Sequence, residues 1–91
     1  MTFSIFLKKD ADAALRSLGP DDFTFCSTKI SALGTNPYPG TGGDKEKLDG
    51  RKNLYRLHIS RTYTALYRID REKKRVCVVF FGRIGAAHKI Y

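Results

Sequence analysis

Two histidines, a glutamate and a set of arginines are the side chains of this chain that can do chemistry together. His58 stands in Leu54-Tyr55-Arg56-Leu57-His58-Ile59 and Glu46 in Lys45-Glu46-Lys47-Leu48, while His88, Lys89 and Tyr91 lie in the last segment. Arg and His beside a basic loop suit an RNA phosphate. Cleaving RNA by its own 2′-hydroxyl requires a base for the hydroxyl proton, cations for the charged phosphorane and an acid for the departing oxygen. Glu46 or His58 is the candidate base, Arg56, Arg61 and Lys89 are the stabilising cations, and His88 or Tyr91 is the acid. Lys45, Lys47 and Arg83 are further candidates for holding phosphate. No metal-ligand spacing is present, and the chemistry needs neither a metal nor a cofactor.

These side chains need a sheet to hold them. Tyr55, Leu57 and Ile59 alternate with Arg56, His58 and Ser60, and Tyr63, Ala65, Tyr67 and Ile69 alternate with Thr64, Leu66, Arg68 and Asp70. A three-residue connection, Ser60-Arg61-Thr62, pairs Ile59 with Tyr63, Leu57 with Ala65 and Tyr55 with Tyr67. An even-numbered loop would oppose apolar to polar residues and spoil the buried face. This register gathers Arg56, His58, Thr64 and Arg68 on the other face. Asp70 to Arg75 reads as a solvated hairpin turn. Val76 to Phe81 is apolar at both parities and reads as a central strand covered on both sides. Thr2–Leu7 is a short strand that pairs beside it.

The covering layer comes from the N-terminal half. Ala11, Ala14, Leu15 and Leu18 fall at helical spacing, as do Phe23, Cys26, Ile30 and Leu33. Gly19-Pro20 separates the two helices, Asp21 and Asp22 suit the second helix's first turn, and Gly34 is expected as its end cap. Thr35 to about Asn53, with Asn36-Pro37-Tyr38-Pro39, reads as a long loop. The expectation is one α+β domain over residues 1–91: an antiparallel sheet of about four strands with an N-terminal helical hairpin on one face, in the order β-α-α-β-β-β. Cys26 and Cys77 are expected as reduced, buried small hydrophobes.

Charge sharpens the picture. Residues 1–50 hold 6 Lys+Arg and 7 Asp+Glu, a net of −1, whereas residues 51–91 hold 11 Lys+Arg and 2 acids, a net of +9. The excess sits in the sheet half and fits a polyanion or an acidic protein partner. No apolar run approaches the roughly 20 residues of a membrane span. No secretory signal is evident, so a cytoplasmic location is expected.

The order of the helical hairpin, the Asn-Pro-Tyr-Pro loop, Lys47-Leu48-Asp49-Gly50, Leu54-Tyr55-Arg56-Leu57, Tyr67-Arg68-Ile69-Asp70 and Arg83-Ile84-Gly85…Tyr91 resembles the RelE/ParE toxin superfamily over nearly the whole chain. The resemblance implies a toxin of a toxin–antitoxin pair, wrapped by an acidic antitoxin. RelE-like members cleave mRNA in the ribosomal A site, and ParE-like members poison DNA gyrase. By position, Arg56 and His58 occupy the family's basic RNA-site strand. Glu46-Lys47-Leu48 is similar to the segment holding a glutamate base in the YoeB-like branch, and Tyr91 matches the family's closing tyrosine. The chain departs from the pattern at Thr64 and at Ala87, where arginines are usual. Losing one preorganised charge donor costs about 10²–10³ in rate, so the resemblance implies an attenuated mRNA endonuclease. The alternatives are a ParE-like gyrase inhibitor without nuclease activity or a catalytically inactive antitoxin-binding domain.

Overall fold

Alternation of Phe3, Ile5 and Leu7 with Ser4 and Phe6 builds the first strand, β1 (Ser4–Leu7). The structure is a computed structural model describing residues 2–40, 43–48, 50 and 52–84. Two helices follow, α1 (Lys9–Arg16) and α2 (Pro20–Ser31), and then a 3-10 turn over Ala32–Gly34. The remaining strands are β2 (Lys45–Lys47), β3 (Tyr55–Ile59), β4 (Tyr63–Asp70) and β5 (Arg75–Arg83).

The helices are local consequences of their residues. Pro20 takes the first position of α2, where its missing N–H costs nothing, and Asp21 and Asp22 follow in the first turn. Ala11 and Leu15 of α1, Cys26 and Ile30 of α2, and Leu33 beyond it are buried. Gly34 does not cap α2 in a left-handed conformation as expected, because α2 runs on into the 3-10 turn instead. Its glycine serves a close approach: Phe3 N–H donates to the Gly34 carbonyl at 2.6 Å. A Cβ at residue 34 would lie 3.0 Å from the Phe3 carbonyl oxygen.

Five strands form one sheet in the order β1-β5-β4-β3-β2. The β3–β4 register is the expected one, with Tyr55 opposite Tyr67, Leu57 opposite Ala65 and Ile59 opposite Tyr63. β1 lies beside β5 as expected, but the two run parallel, so the sheet is mixed rather than antiparallel. α1 and α2 carry the chain away over one face, and the β3–β4–β5 meander then brings β5 back in the direction of β1. The fifth strand, β2, comes from within the stretch read as loop. It is held to β3 by the pairs Lys45–Leu57, Glu46–Arg56 and Lys47–Tyr55.

The helices cover one face of the sheet. Tyr55, Leu57, Ile59, Ala65, Tyr67, Ile69, Val76, Val78 and Phe81 pack there against Leu15, Cys26, Ile30 and Leu33. Fully burying one such aliphatic side chain contributes about 1.5–3 kcal/mol. Tyr55 and Tyr67 stack with ring centroids 5.5 Å apart, so these tyrosines are core, as their parity implied. Among the described residues, no helix is long and apolar enough to cross a membrane.

β5 corrects the expectation of a strand covered on both sides. Tyr67 pairs with Val78 but Leu66 pairs with Phe80, so Val79 is an extra residue in a bulge. The bulge shifts the strand's phase: Val76, Val78 and Phe81 are buried under the helices, whereas Cys77, Val79 and Phe80 are only partly covered. Cys77 is therefore not buried like Cys26, although both thiols are free.

Candidate functional site

The face opposite the helices presents two neighbouring rows of side chains. One runs Glu46, Arg56, Leu66, Phe80 across β2, β3, β4 and β5, and the next runs His58, Thr64, Gly82. Leu66 and Thr64 are buried and form a floor, with the Thr64 hydroxyl donating to the Leu57 carbonyl at 3.1 Å. The floor leaves Glu46, Arg56 and His58 as a cluster at its β2 side.

β2 and the turn after it position Glu46. Leu48 N–H donates to the Leu54 carbonyl at 2.9 Å and closes the hairpin, while Gly50 (φ 75°) and Asn53 (φ 54°) supply its left-handed residues. The Asn53 side-chain amide then donates to the Ile69 carbonyl and accepts from the Ile69 N–H, at 3.0 and 3.3 Å. In this way a turn residue imitates one more rung of β3 against β4. Beyond the other end of β2, His58 N–H donates to the Asp44 carbonyl at 2.7 Å.

The cluster is tight. Glu46 Oε1 lies 3.3 Å from His58 Nε2 and 3.4 Å from Arg56 Nε. Arg56 Nε is buried, and among the described residues it makes no hydrogen bond, so its contact with Glu46 is an ion pair without an aligned donor. With its hydrogen on Nε2, His58 donates to Glu46 and leaves Nδ1 as an acceptor. The Glu46 side chain is 50% exposed, so protons and a phosphodiester can both reach it. The arrangement offers a carboxylate–imidazole pair for moving a proton, beside a guanidinium able to take a phosphate oxygen.

Three expected catalytic residues, Glu46, Arg56 and His58, are thus brought together. The expected phosphate-binding residues are spread more widely. Lys45 and Lys47 alternate to the other side of β2 from Glu46, and Lys45 Nζ donates to the Asn36 carbonyl at 3.2 Å. Arg61 is exposed in the Ser60–Thr62 turn. Arg83 pairs with Tyr63 at the end of β5, its guanidinium 6.0 Å from the Tyr63 ring centroid, on the helix side. His88, Lys89 and Tyr91, with Ala87, lie outside the described residues. Arg68 shares the cluster's face but is two residues farther along β4, donating to the Lys52 carbonyl at 3.0 Å. Among the described residues, no three His, Cys, Asp or Glu side chains converge as metal ligands.

Sequence reasoning missed Phe80 and Gly82 at this site. A Cβ at residue 82 would lie 2.9 Å from Phe80 Cζ, so the ring lies over the glycine and walls the floor beside Thr64. A glycine inside an apolar strand is the signal of such a close approach. The strand β2 also had a signal in Asp49-Gly50, the dipeptide of tight hairpins, set between Leu48 and Leu54.

No family model and no curated protein matches this chain. Solved structures do. The archaeal RelE–RelB complex from Pyrococcus horikoshii aligns at a TM-score of 0.77 with 24% identity, covering 93% of this chain and 98% of that one. The isolated Escherichia coli RelE toxin aligns at 0.75 with 21% identity, over 98% of this chain and 99% of that one. The toxin–antitoxin complex RelBE2 from Mycobacterium tuberculosis aligns at 0.72 with 20% identity, over 91% and 99%.

Proposed function

We propose that this chain, which has the fold of the RelE toxins, is the toxin of a toxin–antitoxin pair. It acts in the cytoplasm as a metal-independent endoribonuclease on mRNA in the ribosomal A site. The observation that carries the reading is the cluster of Glu46, Arg56 and His58 on one sheet face, with Oε1 of Glu46 within 3.4 Å of both partners. In the reaction, Glu46 or His58 takes the proton from the 2′-hydroxyl. The freed oxygen attacks phosphorus, the bond to the 5′-oxygen breaks, and a 2′,3′-cyclic phosphate forms. An acid, His88 or Tyr91, returns a proton to the leaving oxygen. Arg56 stabilises the phosphorane, with Arg61, Lys89, Lys45, Lys47 and Arg83 available along the RNA.

The partner proposed for the resting state is an acidic antitoxin. Its support is the charge of residues 51–91, 11 Lys+Arg against 2 acids, a surface that a polyanion or an acidic protein neutralises. Ala87, in the place where the resemblance leads one to look for an arginine, sets the rate low.

The test adds the purified protein to translating ribosomes and maps the mRNA ends. Cuts within A-site codons that vanish in Arg56→Ala support the reading. No cuts, even after A86H with A87R, sink it. Inhibition of gyrase supercoiling by a protein that leaves mRNA uncut would instead assign it to the ParE-like alternative.

A further inference from the structure

One groove of the described residues lies apart from the Glu46 cluster. It lies on the same sheet face, farther toward β1, and has a volume of about 770 Å³. Its floor is the row Arg68, Cys77, Phe6 across β4, β5 and β1. Phe6 is 50% exposed, although a ring left in water forgoes stabilisation that burial would bring. The Arg75 guanidinium sits 5.6 Å from the Phe6 ring centroid. Lys8, Arg71 and Lys73 also line the groove, and among the described residues none of Arg68, Arg75, Lys8 and Lys73 is paired with a carboxylate.

We infer that this groove is a second RNA subsite, in which a nucleobase stacks on Phe6 and the flanking phosphates lie against Arg68, Arg75, Lys8 and Lys73. An exposed aromatic within a basic groove is the design by which proteins hold single strands without reading their sequence. Two acids, Asp70 and Glu72, also line the groove, but the cations outnumber them. Continuity favours RNA over an acidic peptide. Arg68 follows Leu66 on the same face of β4, about 7 Å along the strand, so one strand of RNA crossing the sheet meets Arg56 and then the groove. The inference rests on the RNA reading of this face, yet its test reads binding and not cleavage.

The full-length protein is titrated into a fluorescently labelled single-stranded RNA of about 12 nucleotides, within the range one such platform spans, at several salt concentrations. Phe6→Ala is expected to raise Kd roughly 5- to 100-fold, the worth of one stacked base, while Phe6→Tyr retains the affinity. Lys8→Glu with Lys73→Glu is expected to flatten the log Kd–log salt slope by about 0.7 for each phosphate no longer neutralised. A Kd and a slope unchanged in the folded variants, checked by circular dichroism, overturn the subsite. So does a loss of polyglutamate binding with RNA binding intact, which gives the groove to an acidic protein. RNA binding that depends on Phe6 in a protein that leaves ribosomal mRNA uncut upholds the groove and refutes the nuclease reading alone.

Discussion

Glu46 and His58 face each other between β2 and β3, Oε1 of one 3.3 Å from Nε2 of the other, and Arg56 stands directly opposite Glu46 in the strand register. The three side chains come from two neighbouring strands, so the ladder between β2 and β3 sets their spacing.

The pair separates catalytic from structural roles. Its side chains are 50% and 35% exposed, and contacts between groups this open contribute at most about 1 kcal/mol. With Glu46 as the base of the proposed reaction, Glu46→Gln is therefore expected to leave the denaturant midpoint nearly unchanged while lowering mRNA cleavage at least about 10²-fold, the lower end for a general base. A loss of stability well above 1 kcal/mol with cleavage intact would make the carboxylate a structural anchor.

Gly82 makes room for the Phe80 ring. A Cβ there would come within 2.9 Å of Phe80 Cζ, so Gly82→Ala must push the ring off the floor made by Leu66 and Thr64. Phe80 is only partly covered and the clash is with the far end of its ring. The expected cost is therefore about 1 kcal/mol in urea unfolding, the lower end of the range for overpacking. Because the clash is with one ring, Phe80→Leu added to Gly82→Ala should recover part of it, and the two changes should be non-additive. Purely additive costs would show that Phe80 is not what the glycine accommodates.

The β3–β4 hairpin is legible in the sequence because period-two alternation and an odd connection leave one register that buries Ile59, Leu57 and Tyr55. The helical hairpin is legible for a similar reason: apolar stripes broken by Gly19-Pro20 admit one reading. Three features escape, each for a physical cause. β2 is too short and too charged to show a pattern, since Lys45-Glu46-Lys47 at a sheet edge needs no apolar face. The bulge at Val79 defeats parity counting, which assumes that every residue turns the strand over. Charge alone groups Arg83 with the phosphate binders, whereas that same phase shift sends it toward Tyr63 on the helix side. Glu46, Arg56 and His58 need only residue type and the nearby hairpin, and these the structure gathers.

Tyr67 links the core to the loop that follows the helices. Its hydroxyl donates to the Pro37 carbonyl at 2.6 Å inside the protein, and Tyr67→Phe is expected to cost about 1–3 kcal/mol by leaving that carbonyl unpaired. Burial holds the Tyr67 phenol protonated well above its ordinary range. The sign follows directly: an unfolded tyrosine ionises near pH 10 and the folded one does not. Its contribution is complete below about pH 10 and is lost as pH rises above it. Burial of the Cys26 thiol and of Tyr63, which also donates to Asp22, acts in the same direction. Stability measured from about pH 8 to 11, across that ionisation, should therefore fall on the alkaline side, less steeply in Tyr67→Phe. An identical slope in the variant would remove Tyr67 from the account.

Asn53 is the last residue on which the site's geometry depends, because its amide joins the β2–β3 turn to β4 through both polar groups of Ile69. It also adopts φ 54°, a conformation that asparagine tolerates and alanine does not. Asn53→Gly should keep the turn and lose only the two hydrogen bonds, each worth about 1 kcal/mol net. Asn53→Ala loses those bonds and adds roughly 1 kcal/mol of left-handed strain. The difference between the variants in urea unfolding isolates the backbone cost, and the drop from wild type to glycine isolates the amide. Since the turn also sets where Glu46 meets His58, Asn53→Ala should slow mRNA cleavage more than Asn53→Gly does. Equal cleavage by both variants would show that β2 holds its place through the ladder to β3 alone.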